Sequence, residues 1–144
     1  MKKILVLNGP NLNLTGLREP GIYGNDTYES ICAELKAFAE GEGLFLETFQ
    51  SNHEGELIDR IHGAMGTFDG LIINAGAYSH YSYAIRDAIS AVKLPCVEVH
   101  LSNIAARDAF RHTSVLSPVC SGVIFGFGKR GYSLAVRALK EMLD

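Results

Sequence analysis

The sequence predicts a single α/β domain over residues 1–144, with a parallel sheet covered by helices on both faces. Five short apolar segments alternate with segments in which apolar residues recur at helical spacing. The first apolar segment, Ile4–Leu7, is a continuous run, as expected of a parallel strand buried on both faces. Five strands that alternate with helices suit the doubly wound order 2-1-3-4-5. The predicted fold is therefore flavodoxin-like.

The elements follow one another with little interruption. The predicted strands are Lys3–Leu7, Leu44–Gln50, Asp69–Asn74, Pro95–Val99 and Gly122–Phe125. Asp26-Thr27-Tyr28-Glu29 resembles a capping box at the beginning of the first helix, with an acid or hydroxyl cap and Glu three residues after Asp26. The apolar stripes are Ile31, Leu35, Phe38 and Ala39 in the first helix, Leu57, Ile58, Ile61 and Met65 in the second, and Tyr81, Ala84, Ile85, Ala88, Ile89 and Val92 in the third. A short helical segment from Ile104 to about Phe110 and a closing helix at Tyr132–Leu143 complete the prediction.

Charge and composition exclude several classes of protein. The formal net charge is −3 and no run of Lys or Arg exceeds two residues, which argues against nucleic-acid and anionic-membrane partners. The apolar segment after Met1 is too short for a signal peptide, and no apolar run approaches the ~20 residues of a membrane span. Cys32, Cys96 and Cys120 are widely spaced in apolar segments, which favours buried, reduced thiols. We therefore expect a cytoplasmic protein.

The connection after the first strand is unusually long. It takes about 19 residues, from Asn8 to Asp26, where such loops usually take roughly 2–6. Long loops in compact domains are usually functional or disordered, and this one carries Asn11, Arg18 and Tyr23. A cation a few Å from a tyrosine favours the phenolate, so Arg18 beside Tyr23 predicts a base.

Further polar residues follow the other predicted strands. Ligands bind outside the carboxyl ends of the strands in doubly wound sheets. The residues at these ends are Ser51, Asn52 and His53 after the second strand, Asn74, Gly76, Tyr78 and His80 after the third, and Glu98, His100 and Ser102 after the fourth. We therefore expect the functional site at this edge.

Glu98 and His100 are two residues apart, so their side chains face the same way on an extended chain. A carboxylate beside an imidazole favours the imidazolium and prepares a general acid. A purely structural pair is the first alternative. A metal site that adds His80 is the second, and it lacks a second carboxylate.

The segment after His100 suits an anion. Leu101-Ser102-Asn103 looks like a helix cap, where outward N–H groups attract a carboxylate or phosphate. Arg111 lies beyond that segment and either meets the same anion or is solvated.

A glycine-rich motif near the end of the chain is only weak evidence for dinucleotide binding. Gly126, Gly128 and Gly131 match the dinucleotide-binding pattern Gly-x-Gly-x-x-Gly. They follow the last strand, however, and no later strand presents the acid that would bind the ribose. We expect these glycines to allow close packing of the fifth strand against the last helix instead of binding NAD.

Together these segments resemble the type II 3-dehydroquinate dehydratases. The matching motifs are Leu7–Asn13, Arg18–Pro20, Ile22–Gly24, Gln50–Gly55, Ile73–Tyr78 with His80, Val97–Asn103, Phe110–His112 and Gly126–Gly128. They lie in register along almost the whole chain. The departures from the family pattern are Thr15, Leu17, Tyr81, Tyr83 and Ala105, and none removes a catalytic group.

The resemblance implies a stepwise anti elimination through an enolate, without a metal or organic cofactor. Tyr23 would remove a proton from C2 of 3-dehydroquinate, and Arg18, on a lid loop at about residues 9–26, would stabilise the phenolate. Asn11 would hold the water that hydrogen-bonds the enolate oxygen. His100, oriented by Glu98, would protonate the departing C1 hydroxyl.

The resemblance also implies how the substrate is held. Asn74, His80 and Arg111 would bind the ring hydroxyls, and the amides of Leu101 and Ser102 would bind the carboxylate.

Asp87 lies ~10 Å along the helix from His80 and faces away from the apolar stripe. The resemblance assigns it to the site of a neighbouring subunit, in a homododecamer made of four trimers. The same reaction serves aromatic biosynthesis by the shikimate pathway or quinate breakdown. A flavodoxin-like ligand-binding module is the alternative from another class of protein.

Overall fold

The computed structural model describes residues 1–17 and 26–144, which form one five-stranded parallel sheet with helices on both faces. The strands are β1 (Lys3–Asn8), β2 (Phe45–Gln50), β3 (Gly70–Asn74), β4 (Cys96–His100) and β5 (Gly122–Phe125). The α-helices are α1 (Tyr28–Gly41), α2 (Glu54–Gly63), α3 (Tyr83–Val92) and α4 (Arg130–Leu143). The strand order is β2-β1-β3-β4-β5 and every pair is parallel. The predicted flavodoxin-like fold and its strand order are confirmed.

The sheet separates two apolar layers, because successive side chains of a strand point to opposite faces. Ile4 and Val6 of β1 belong to the layer beneath α1 and α4. Leu5 and Leu7 belong to the layer beneath α2 and α3. The side chains of β3 and β4 are buried along their whole length, which is why these segments read as continuous apolar runs.

Three details of the predicted helices are wrong. The cap of α1 is the hydroxyl of Thr27, one of the two predicted caps, but its partner in the capping box is Ser30 and not Glu29. Helix α2 ends at Gly63, so Met65 lies beyond it and is 55% exposed. Helix α3 begins at Tyr83 behind a Ser82 cap, so Tyr81 precedes the helix and is exposed, and Ala84 faces outward.

Connections at the carboxyl edge contain short 3-10 helices instead of longer α-helices. The predicted helical segment after β4 is two such turns, Ile104–Ala106 and Ala109–Arg111. Another 3-10 helix, Gly76–His80, follows β3. These compact turns keep the residues after β3 and β4 close to the strand ends.

The structural interpretation of the cysteines and of the glycine motif is confirmed in part, because only Cys96 is buried and a Cβ at Gly128 would have no described atom within 4 Å. All three cysteines are free, with Cys96 buried and Cys32 and Cys120 half-buried. A Cβ at Gly131 would lie 3.1 Å from Val99 Cγ1 and 3.6 Å from Ile124 Cγ2, so this glycine lets α4 pack closely on β4 and β5. Within the described ranges, no helix has the length and hydropathy needed to cross a membrane.

Candidate active site

The carboxyl ends of β1 and β3 meet where two backbone segments touch. The N–H of Gly9 donates to the carbonyl oxygen of Asn74 over 2.8 Å. A Cβ at Gly9 would lie 2.3 Å from the carbonyl oxygen of Ala75, so only glycine permits this approach. The contact holds the connection after β1 beside the end of β3, so that the neighbouring Pro10, Asn11 and Gly76 line one side of a cavity.

The cavity has a volume of about 100 Å³ and opens at the carboxyl edge of the sheet. Seven of the predicted site residues line it, namely Asn11, Asn74, His80, His100, Leu101, Ser102 and Arg111. Topology brings them together from the connections after β1, β3 and β4.

Glu98 and His100 form a buried hydrogen-bonded pair, as their spacing predicts. His100 Nε2 lies 2.5 Å from Glu98 Oε2, and the carboxylate is fully buried. The hydroxyl of Ser117 donates to Glu98 Oε1 over 2.6 Å. Burial acts to raise the pKa of Glu98, but the hydrogen bonds from His100, Ser114 and Ser117 outweigh it, so the pKa lies below its usual value. The pair is therefore a carboxylate that stabilises positive charge on an imidazole.

His80 faces His100 across the cavity wall. The two rings lie 6.1 Å apart between centroids, with their planes inclined by 21°. His80 Nδ1 donates to the carbonyl oxygen of Thr113 over 2.8 Å, which leaves Nε2 as an acceptor in the neutral ring. Burial lowers the pKa of His80, and the nearby charges of His100 and Arg111 lower it further.

The metal alternative would place His80, Glu98 and His100 around one ion. In residues 1–17 and 26–144, no three His, Cys, Asp or Glu side chains are grouped in this way.

Two arginines supply positive charge to the cavity. The Arg111 guanidinium lies 4.6 Å from the centre of the Phe110 ring, and its buried Nε has no hydrogen-bond partner among the described residues. Arg107 Nη1 donates to Ser102 Oγ over 3.2 Å. Sequence reasoning missed Arg107, although it lies on the same connection after β4 as Arg111.

The described part of the connection after β1 is held by local hydrogen bonds. The N–H of Asn11, which has a φ of 69°, donates to Asn52 Oδ1 over 3.0 Å. The hydroxyl of Thr15, one of the departures from the family pattern, donates to the carbonyl oxygen of Leu12 over 2.6 Å. A Cβ at Gly16 would lie 2.3 Å from the carbonyl oxygen of Asp26, so residues 16 and 26 are in contact.

Four predicted residues are not among these seven, and one of them, Glu98, is hydrogen-bonded to His100 but does not itself line the cavity. Arg18 and Tyr23 lie outside the described residues. Asp87 is exposed on α3 and takes no part in the cavity, as its position on the outer face of the helix predicts.

An imidazole that is oriented by a buried carboxylate, opposite a neutral imidazole and near two arginines, can donate a proton to a small anionic ligand. Its place at the carboxyl edge of a doubly wound sheet is the usual place of the active site in such folds. Fold and site together are those expected of an α/β enzyme.

Comparison with known proteins identifies the family to which the chain is similar. The family model described as Dehydroquinase class II matches residues 2–140. The 3-dehydroquinate dehydratase of Caldicellulosiruptor bescii is 57% identical, with 100% of both chains covered. The type II dehydroquinase of Butyrivibrio crossotus superposes with a TM-score of 0.95 at 49% identity, covering 96% of this chain and 97% of that one. The type II dehydroquinase of Propionibacterium acnes superposes with a TM-score of 0.94 at 45% identity, covering 98% and 97%.

The chain belongs to the class II dehydroquinase family. It is therefore a hydro-lyase of the type II 3-dehydroquinate dehydratase kind, and the alternative of a ligand-binding module without enzyme activity is wrong.

Proposed function

We propose that this enzyme removes water from 3-dehydroquinate to give 3-dehydroshikimate by a stepwise anti elimination through an enolate. The observation that carries the proposal is His100 at the wall of the cavity, held by a 2.5 Å hydrogen bond to the buried Glu98. A dehydratase must protonate a poor leaving group, and this pair supplies the acid. The reaction is the one that the shikimate pathway uses in aromatic biosynthesis.

His100 delivers the proton to the departing C1 hydroxyl. Its Nε2 is engaged by Glu98, so Nδ1 is the nitrogen left to exchange a proton with the substrate. The fully buried carboxylate stabilises the imidazolium and fixes the ring, so the acid is ready before the C–O bond breaks.

Tyr23 is the base that removes the proton from C2. Arg18 stabilises its phenolate, and the electron pair released from the C–H bond forms the enolate with the neighbouring ketone. Asn11 holds the water that hydrogen-bonds the enolate oxygen. The enolate then expels the C1 hydroxyl as water, with the proton from His100. A final proton transfer from Tyr23 to His100, through solvent, restores both groups.

The polar wall of the cavity binds the substrate. Neutral His80 presents Nε2 as an acceptor for a ring hydroxyl, because its Nδ1 donates to Thr113. Asn74 and Arg111 bind further hydroxyls, and the amides of Leu101 and Ser102 bind the carboxylate. The side chains themselves remove and supply the protons, so the proposed reaction needs neither a metal nor an organic cofactor.

The proposed assembly is a homododecamer of four trimers, in which residues 1–144 form one catalytic domain with a lid loop at about 9–26. The exposed position of Asp87 on α3 supports a role in the site of a neighbouring subunit. We propose a cytoplasmic location, since three free cysteines suit a reducing compartment.

An absorbance assay tests the function directly. With 3-dehydroquinate, the purified protein is expected to produce the ultraviolet absorbance of a conjugated enone-carboxylate. Tyr23→Phe should abolish turnover and leave substrate binding largely intact, because only the proton acceptor is lost. No signal from folded wild-type protein would contradict the proposed activity, and a Tyr23→Phe variant with most of its rate would contradict the base.

A further inference from the structure

Three buried side chains behind the cavity form a continuous chain of hydrogen bonds. The exposed fractions of Asn8, Asn74 and Tyr132 are 2%, 3% and 4%. Asn8 and Asn74 are register partners at the last positions of β1 and β3, and Tyr132 reaches them from the first turn of α4. A polar cluster buried this deeply among apolar layers is costly unless its members satisfy one another.

In this series of hydrogen bonds, the donor and the acceptor of each bond are fixed. The Tyr132 hydroxyl donates its single proton to Asn8 Oδ1 over 2.5 Å. The hydroxyl oxygen of Tyr132 in turn accepts a hydrogen bond from Asn74 Nδ2 over 3.1 Å. A reversed Asn74 amide would place its oxygen against the Tyr132 oxygen with no proton between them. Tyr132 therefore dictates which end of the Asn74 amide points toward it.

The fixed amide has a consequence for the cavity that Asn74 lines. Asn74 Oδ1 accepts from the N–H of Gly76 over 3.4 Å, and one hydrogen of Nδ2 is used by Tyr132. The second hydrogen of Nδ2 is the donor that Asn74 retains for a ligand. A freely rotating amide would present donor and acceptor alternately.

We propose that Tyr132 is a positioning residue for substrate binding: it orients Asn74 so that the site presents a donor to an acceptor oxygen of the substrate. This inference rests on the proposed function of the cavity. In this proposal Tyr132 acts through Asn74, and it is not among the described residues that line the cavity.

A double-mutant cycle tests the proposal, with 3-dehydroquinate as the substrate. Tyr132→Phe is expected to raise KM about three- to tenfold, the range of one lost hydrogen bond, with kcat changed by less than about twofold. In an Asn74→Ala background the same substitution should leave KM unchanged, since the amide that it orients is gone. The matched control is Tyr28→Phe, because the Tyr28 hydroxyl also contacts Asn8, at 3.5 Å. This substitution should leave KM within about twofold of the wild-type value.

A second variant covers the case in which Tyr132→Phe folds poorly. Asn8→Ala keeps the tyrosine ring but removes the oxygen that accepts its hydroxyl proton, so the orientation of Asn74 is no longer fixed in this way and KM should rise similarly. Circular dichroism and thermal melting verify folding in every variant.

The outcomes separate the two proposals. An inactive, folded wild type overturns both the proposed function and this inference. If the wild type is active, two results overturn the positioning role alone. In the first, Tyr132→Phe leaves KM unchanged. In the second, Tyr132→Phe raises KM by the same factor in the wild-type and Asn74→Ala backgrounds.

Discussion

The imidazole rings of His80 and His100 lie nearly parallel across the cavity, 6.1 Å apart between centroids. Two imidazolium ions at this distance would repel each other, so one positive charge is favoured. Only His100 has a carboxylate partner, whereas His80 is bound to the Thr113 carbonyl. The arrangement gives His100 a carboxylate partner and favours the neutral form of His80.

The first prediction concerns the charge on His80. Because burial lowers its pKa below 6.5, the neutral ring is favoured in the folded state. Its contribution to stability is therefore present above pH 6.5 and is lost as the pH falls through the lowered pKa. NMR titration should find the pKa of His80 below 6.5, with Nδ1 protonated and Nε2 bare at pH 7. A protonated His80 at pH 7 would contradict its role as an acceptor.

The stability side of this prediction uses His80→Gln, whose amide can still donate to Thr113. Urea unfolding across the same pH range should show a smaller loss of stability below pH 6.5 in the variant than in the wild type. An equal loss would assign the pH dependence to other groups.

The second prediction concerns Glu98. Glu98→Gln keeps the shape of the side chain but removes the charge that stabilises protonated His100, so kcat should fall by about 10²-fold or more. The ultraviolet assay measures it. Glu42→Gln is the matched control, because Glu42 pairs with Lys140 away from the cavity. If Glu98→Gln and Glu42→Gln had equal rates, Glu98 would be a structural residue.

The third prediction concerns the contact between β1 and β3. Gly9→Ala places a methyl group 2.3 Å from the Ala75 carbonyl oxygen, so the free energy of unfolding should fall by about 1–3 kcal/mol. Gly63→Ala is the control, since nothing lies within 4 Å of its Cβ position at the end of α2. Urea denaturation should find Gly63→Ala as stable as the wild type or more so. A Gly9→Ala variant with wild-type stability would show that the backbone at Gly9 and Ala75 can move apart at little cost in free energy.

The fourth prediction concerns Asp87 and the assembly. Asp87→Asn and Tyr23→Phe should each lose activity alone. If Asp87 serves a neighbouring site, co-expression of the two variants should restore part of the activity, because mixed oligomers contain sites with both residues intact. Size-exclusion chromatography verifies that the mixture assembles. Failure of intact mixed oligomers to recover activity would assign Asp87 to its own subunit or to the surface.

The sequence predicted those parts of the site that depend on strand geometry alone. Glu98 and His100 are two positions apart on β4, so their side chains share a face and meet. Asn74 ends a buried apolar run, and the strand order places it beside the residues after β1. Such relationships need only the period of a strand and the order of the sheet.

The parts that were missed depend on packing between distant segments. Tyr132 lies 58 positions from Asn74 and reaches it only because α4 packs back across the sheet. The sequence predicts a closing helix that begins at Tyr132 but does not say which strand end this residue meets. Arg107 follows a three-residue 3-10 turn, where no periodic pattern indicates which way a side chain points.

Solvent-deuterium exchange most directly tests the claim that Tyr23 is the base and His100 the acid. In D₂O, His100→Gln should still incorporate deuterium at C2 of unreacted 3-dehydroquinate while producing almost no 3-dehydroshikimate, because Tyr23 still forms the enolate. Tyr23→Phe should do neither. A His100→Gln variant that dehydrates at the wild-type rate, or a Tyr23→Phe variant that still exchanges the C2 hydrogen, would contradict the account.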